Sequence, residues 1–141
     1  MAQRLIIAGG GLSGVLTAVA LANARPDLDL TVLEGGAKLG GDHTWSFYST
    51  DVDGAAADIV EPFIGYRWDG YETRFQHFTR NFSTGYRSIV SERLHEVAMA
   101  RLGDRVRLGV KVTAVDPAGV TLEGGERLDA DAVIDARGAR S

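Results

Sequence analysis

The chain has 141 residues, a length suited to one domain. Hydrophobic residues make up 45% and charged residues 24%, a globular composition, and the net charge of −4 offers no basic surface to nucleic acid. The absence of cysteine excludes disulfides, thiolate nucleophiles, thiolate zinc sites and thiol-linked flavins.

Residues 4–8 read as a first strand, closing on the apolar run Leu5-Ile6-Ile7-Ala8. Gly9, Gly11 and Gly14 follow and spell G-x-G-x-x-G. A helix is predicted over 12–24, with Leu12, Val15, Leu16, Val19 and Ala20 at helical spacing and Pro26-Asp27 ending it. A second strand is predicted over 29–34; its almost unbroken apolar character suits a buried parallel strand. It ends at Glu34, twenty residues after Gly14.

Strand, glycine turn, helix, strand and acid together form the fingerprint of dinucleotide binding. Gly9 permits the tight turn, Gly11 lets backbone approach a pyrophosphate, and Gly14 lets helix and strand pack closely. Leu12 and Ser13 open the helix, where free N–H groups and the dipole favour phosphate. The Glu34 carboxylate would accept ribose hydroxyls. Residues 5–24 carry no charge and end in Ala22-Asn23-Ala24, which also fits a secretory leader or a membrane span. The cluster of glycines and Ser13 inside that stretch argues against both.

All eleven aromatic residues lie between Trp45 and Tyr86. We read 45–86 as an aromatic-rich insertion leaving the nucleotide-binding fold, either toward a substrate or cap region or as the lining of a cofactor tunnel. A small aromatic subcore is an equal alternative. Tyr66, Trp68 and Tyr71 around Asp69-Gly70 look like strand and turn, while Phe75, Phe78 and Phe82 have the spacing of one helix face. A helix is predicted over 88–102, capped by Ser88 or Ser91 and ended by Gly103, with Glu92, Arg93, His95 and Glu96 facing water. Short alternating runs from Val106 to Leu128 predict a β-meander. Ala130 to Ile134 is a last buried strand, leading into Asp135-Ala136-Arg137-Gly138. This order is that of an α/β, Rossmann-like FAD-binding domain: a parallel sheet with a β-meander, here incomplete. Gly138 would return beside the first glycine turn.

The run Gly40-Gly41-Asp42-His43-Thr44-Trp45-Ser46-Phe47, with the Gly9–Gly14 start, Gly85-Tyr86-Arg87-Ser88-Ile89 and the Val133–Gly138 end, resembles the bacterial lycopene β-cyclase family of flavin-dependent carotenoid cyclases. The resemblance spans essentially all 141 residues, and His43 to Phe47 is its specific part. It implies FAD, used in reduced form with NAD(P)H as reductant. It implies a non-redox isomerisation that folds the linear ends of lycopene, or a related linear carotenoid, into β-ionone rings. Carried over, Gly9, Gly11 and Gly14 hold the pyrophosphate and Glu34 the adenosine ribose. Gly40, Gly41 and His43 lie on the flavin side, and Ala136 and Gly138 close the pocket. The family's acidic motif of phenylalanine, glutamate, aspartate and threonine does not occur here, so no catalytic residue is assigned and residues 1–141 read as an amino-terminal part of a longer protein. The resemblance places that protein in the bacterial cytoplasm, peripheral to the membrane. An FAD-dependent hydroxylase or oxidase and a catalytically inactive nucleotide-binding fragment remain the alternatives.

Overall fold

A computed structural model of the chain describes residues 1–139. In chain order the elements are β1 (Arg4–Ala8), α1 (Leu12–Ala24), β2 (Asp29–Glu34), β3 (Thr44–Tyr48), α2 (Gly54–Val60), β4 (Tyr66–Trp68), β5 (Tyr71–Phe75), β6 (Phe78–Phe82), β7 (Tyr86–Val90), α3 (Ser91–Leu102), β8 (Val106–Leu108), β9 (Val112–Asp116), β10 (Gly119–Leu122), β11 (Arg127–Asp129) and β12 (Ala132–Asp135). Single 3-10 turns cover Glu61–Phe63 and Gly103–Arg105.

The Rossmann-like α/β expectation holds. Four parallel strands run in the order β12-β1-β2-β8. Leu5 is opposite Leu30 on one side and Ala132 on the other, so β1 is central and its neighbours come from distant parts of the chain. Side chains alternate across the sheet. Ile7, Leu30 and Val32 join Val15, Ala18, Val19, Leu94 and Ala98 in the core beneath the helices. Ile6, Ala8 and Leu33 point the other way and meet Val120 and Leu122 of the meander. The result is three layers: helices, parallel sheet, and the antiparallel meander β11-β10-β9. The uncharged 5–24 stretch is therefore a central strand, a turn and a packed helix. No helix among the described residues is long and apolar enough to cross a membrane.

Several expectations need correction. Val106–Leu108 adds a fourth strand to the parallel sheet rather than opening the meander, because Val106, Arg107 and Leu108 pair with Val32, Leu33 and Glu34. Residues 88–90 are strand, not helix: β7 is held between β3 and β4, and sheet pairing overrides the helical spacing. Helix α3 then starts at Ser91 with Val90 at its cap position and no side-chain cap, so neither serine caps it. Phe75, Phe78 and Phe82 do not share a helix face. They belong to the hairpin β5–β6, where Phe75 pairs with Phe78 and Tyr71 with Phe82. Glu92, Arg93 and Glu96 are exposed, but His95 is half-buried.

The aromatic segment divides two ways. Phe63 is fully buried, and Trp45 and Phe47 pack against the main core. Tyr66, Trp68, Tyr86, Tyr48, Tyr71 and Phe82 form a continuous ladder across β4, β7, β3, β5 and β6, with neighbouring ring centroids 4.7–6.0 Å apart. Tyr66 and Trp68 stay about half exposed on it.

The meander is pinned by Arg127, whose guanidinium takes both oxygens of Asp116 at 2.5 and 2.8 Å. This contact, with the Ala118 N–H, lowers the Asp116 carboxyl from 3.8 to about 2. A depressed folded value means stabilisation that is present above the unfolded value and is lost as pH falls through the folded one. Thermal stability of the wild type is therefore expected to drop as pH falls from about 3.8 to about 2. Asp116→Asn should remove this part of the acid loss, and melting temperature against pH for the two proteins measures it.

Candidate functional site

The site forms at the carboxyl ends of β1, β2 and β12, because β1 stands where neighbouring strands diverge to opposite sides. Beyond Ala8 the chain turns sharply at Gly9, whose φ is +113°. A Cβ there would lie 2.4 Å from the Ala136 carbonyl oxygen, so only glycine lets the turn lie against the end of β12. The Ala136 N–H donates to the Ala8 carbonyl at 2.8 Å and locks that approach. Gly14 is buried beneath the turn, and a Cβ would come 2.0 Å from the Gly9 carbonyl oxygen. Its place is the close helix–strand contact, as expected.

Gly11 differs from both. Its backbone is extended (φ −75°, ψ −173°), and a Cβ built there meets nothing within 4 Å. It caps α1, whose first turn has no acidic residue and no side-chain cap. The leading N–H groups of Leu12 and Ser13 have no intrahelical carbonyl to bond, by helix geometry. Open space over Gly11 and uncapped donors at a helix start fit a phosphate group.

Glu34, half-buried at the end of β2, accepts the Gly10 N–H on Oε2 at 2.9 Å and the Gly36 N–H on Oε1 at 2.7 Å. The carboxylate thus ties the glycine turn to the loop after β2, a role that spacing alone did not show. Each oxygen retains a lone pair for a hydroxyl donor. Past Leu39, Gly40 and Gly41 have φ of +81° and +57° and bend the loop back across the turn. The Gly40 N–H donates to the Gly10 carbonyl at 2.8 Å. His43 is exposed at the mouth, with its ring 5.8 Å from that of Trp45.

One cavity of about 500 Å³ collects these parts: Gly9 to Ser13 from the turn, Glu34 from β2, Gly40, Gly41, His43 and Trp45 from the returning loop, and Ala136 to Gly138 after β12. Every expected binding residue lines it except Gly14, which lies underneath. A smaller cavity of about 140 Å³ adjoins it. Gly9, Glu34 and Arg137 are common to both, and Leu33, Gly35, Val110, Lys111 and Val112 complete the smaller one. Val110 to Val112, Gly10, Trp45 and Arg137 were missed by sequence reasoning. No motif marks Val110 to Val112, which arrive through the β8–β9 connection. Arg137 had a signal in its place between Ala136 and Gly138. Its guanidinium grips both Asp135 oxygens at 2.8 and 2.7 Å and reaches the Val112 carbonyl at 3.4 Å. Asp135 raises the Arg137 pKa, so the side chain stays cationic beside both cavities.

The acids near the cavity are all engaged. Asp42 is 92% exposed and lies 2.8 Å from Lys38 Nζ. That ammonium holds the Asp42 carboxyl below its usual range. Lys38 also meets Glu92 at 3.3 Å, and its own pKa is raised, chiefly by Asp42.

The fold defines a Rossmann-like α/β class that solved oxygenases also adopt. A 2-methyl-3-hydroxypyridine-5-carboxylic acid oxygenase variant superposes with a TM-score of 0.74 at 22% identity, over 94% of this chain and 39% of that one. An HpxO variant from Klebsiella pneumoniae, crystallised with FAD, gives 0.65 at 19% identity, over 93% and 38%. The chain itself belongs to the lycopene cyclase family: the family model described as lycopene cyclase protein matches residues 4–141. It is similar to the lycopene beta-cyclases of Pseudescherichia vulneris (41% identity over 134 residues, 95% of this chain) and Pantoea ananas (33% over 134 residues, also 95%). The chain spans 35% of the length of each.

Glu34→Ala removes the acceptor of the buried Gly10 N–H and, on an FAD reading, the acceptor for its ribose. A charge-assisted hydrogen bond is worth roughly 1.5–3 kcal/mol, so FAD affinity is expected to fall by about 10- to 100-fold, with a lowered melting temperature and an unchanged far-UV spectrum. Flavin-fluorescence titration with wild-type affinity would show that Glu34 only braces the loops.

Proposed function

We propose that this chain binds FAD and forms the cofactor-binding part of a lycopene β-cyclase. The observation that carries the reading is the meeting of the Gly9–Gly14 turn, the Gly40-Gly41 loop and the Ala136–Gly138 segment around one cavity. Glu34 lies where the two cavities adjoin, which suits the ribose that joins adenine to pyrophosphate. The smaller cavity beside Val110 to Val112 would then take the adenine, and the α1 N-terminus the pyrophosphate. Gly40, Gly41 and His43 would face the flavin end. Reduced FAD, once bound, would stabilise positive charge on a polyene or carry a proton to it.

The substrate on this reading is lycopene or a related linear carotenoid. The reaction is an isomerisation of linear ends to β-ionone rings, with NAD(P)H serving to reduce the flavin. So apolar a substrate resides in membrane, which supports peripheral contact of the whole protein with the bilayer, from the cytoplasm. Residues 45–86 are proposed to lead from the cofactor toward the substrate region. Likeness to oxygenases supports a second reading, an FAD-dependent hydroxylase. Steady consumption of NAD(P)H and oxygen in proportion to product would establish that one; a cyclase consumes neither stoichiometrically.

Gly11→Val separates fold from binding. The substituted side chain enters open space at an ordinary φ, so the protein should fold, yet it occupies the proposed pyrophosphate position. Loss of FAD with a retained circular dichroism spectrum is expected. Gly14→Ala should instead lower thermal stability outright, since its Cβ meets backbone. A Gly11→Val protein that keeps a full complement of FAD would refute the cofactor reading.

The 141-residue chain as it stands is expected to form no cyclised product, even with reduced FAD and solubilised lycopene. Protonating an unactivated alkene requires a positioned acid shielded from water. Among the described residues beside the cavity, Glu34 holds two backbone amides, Asp135 holds Arg137, and Asp42 is exposed and paired with Lys38. Chromatographic detection of β-carotene from residues 1–141 alone would make Asp42 the candidate acid.

A further inference from the structure

Helix α3 grips the loop of the proposed FAD site at three points. The Ser91 N–H donates to the His43 carbonyl at 3.0 Å. Glu92 meets Lys38 at 3.3 Å. The His95 Nδ1 accepts the Leu39 N–H at 3.0 Å, across 56 residues of sequence. The Glu92 contact is weak because both side chains are substantially exposed and screened. The His95 contact is different, because Leu39 is fully buried and its amide has little access to water.

We propose that His95 is a positioning residue of the cofactor site, acting through the Leu39–Gly40 peptide; the inference rests on the FAD reading above. Two successive amides are pulled in different directions. Leu39 N–H points to His95 on α3, and Gly40 N–H points to the Gly10 carbonyl in the glycine turn, at 2.8 Å. The Leu39 side chain itself presses on that turn: a Cβ on Gly10 would lie 2.4 Å from Leu39 Cδ2. The loop is therefore suspended between α3 and β1, and His95 is its anchor on the helix side. Without an acceptor, a buried N–H is costly, and the peptide relieves the cost by rotating. Rotation moves Gly40 off Gly10 and shifts the wall that runs on to Gly41 and His43. Accepting at Nδ1 places the ring proton on Nε2, so the contact requires a neutral imidazole.

Two variants of the purified protein test this. His95→Leu keeps bulk and helix propensity but has no acceptor. His95→Asn places Oδ1 near the position of Nδ1. Hydrogen exchange of the Leu39 and Gly40 amides is read without cofactor, and FAD affinity by quenching of flavin fluorescence. His95→Leu is expected to lose amide protection at both positions and to weaken FAD binding by roughly three- to tenfold, the scale of one hydrogen bond. His95→Asn is expected to restore both. Wild-type protection and affinity in His95→Leu overturn the proposal. So does an Asn variant as impaired as the Leu variant, which would reduce His95 to packing. If the wild type binds no FAD, the cofactor reading fails by itself, and amide protection alone decides whether His95 holds the loop.

Discussion

The central position of β1 is the constraint on which the rest depends. Its two partners come from opposite ends of the chain: β2 follows after one helix, while β12 arrives only after more than a hundred intervening residues. Until β12 docks, β1 has one unpaired edge, and unpaired strand edges are costly when buried. The same docking brings the Ala136 carbonyl against Gly9 and completes the rim of the cavity. The contacts that close the sheet at β12 therefore also close the rim of the cavity. Burial on both faces reinforces it, because Ile7 contributes to the core under the helices while Ile6 and Ala8 contribute to the core under the meander.

Backbone dominates the walls of the resulting site, and this has an electrostatic consequence. Glycines expose N–H groups without side chains to cover them, and α1 adds its uncapped start. Among the described residues, Arg137 is the one permanent cation shared by the two cavities, and Asp135 already neutralises it. Glu34 is the one carboxylate shared by both, and two amides engage it. On the FAD reading, attraction for a pyrophosphate in the larger cavity rests on oriented dipoles more than on net charge, in keeping with a chain whose formal charge is −4.

Local signals were legible where local physics decides. β1, α1 and β2 stood out because apolar runs, glycines and an acid each have a short-range cause. The last strand, expected buried over Ala130 to Ile134, is found at Ala132–Asp135 and is only half-buried at Val133 and Ile134, because it pairs with β1 alone at the sheet edge. That the two glycine runs and the Ala136–Gly138 segment meet around one cavity was legible from local signals too, since turn glycines reveal close approach directly. Tertiary choices were not. Residues 88–90 carry a helical spacing that a place between β3 and β4 overrides. Phe75, Phe78 and Phe82 fit a helix by spacing, and a two-residue turn between Phe75 and Phe78 makes them a hairpin instead. Val110 to Val112 reach the smaller cavity only through the path of β8 beside β2, which no motif announces. His95 looks like one more polar residue on a solvated helix face. Its partner is a backbone amide 56 residues away, and a backbone amide leaves no mark in a sequence.

The run that distinguished this chain from flavoproteins at large, His43 to Phe47, occupies a telling place. His43 and Trp45 line the larger cavity, and β3 continues from there to Tyr48, which belongs to the aromatic ladder. Between them Ser46 Oγ lies 2.6 Å from Ser88 Oγ, fixing β3 against β7 midway. A single five-residue strand therefore connects the glycine-walled cavity to the aromatic sheet. The glycine turn and the β12 end belong to a fold that solved oxygenases also adopt, and fold alone says little about chemistry. On the FAD reading, what sets this site apart from others of the fold enters where the glycine-walled cavity meets the segment beyond it. In this chain that junction is β3.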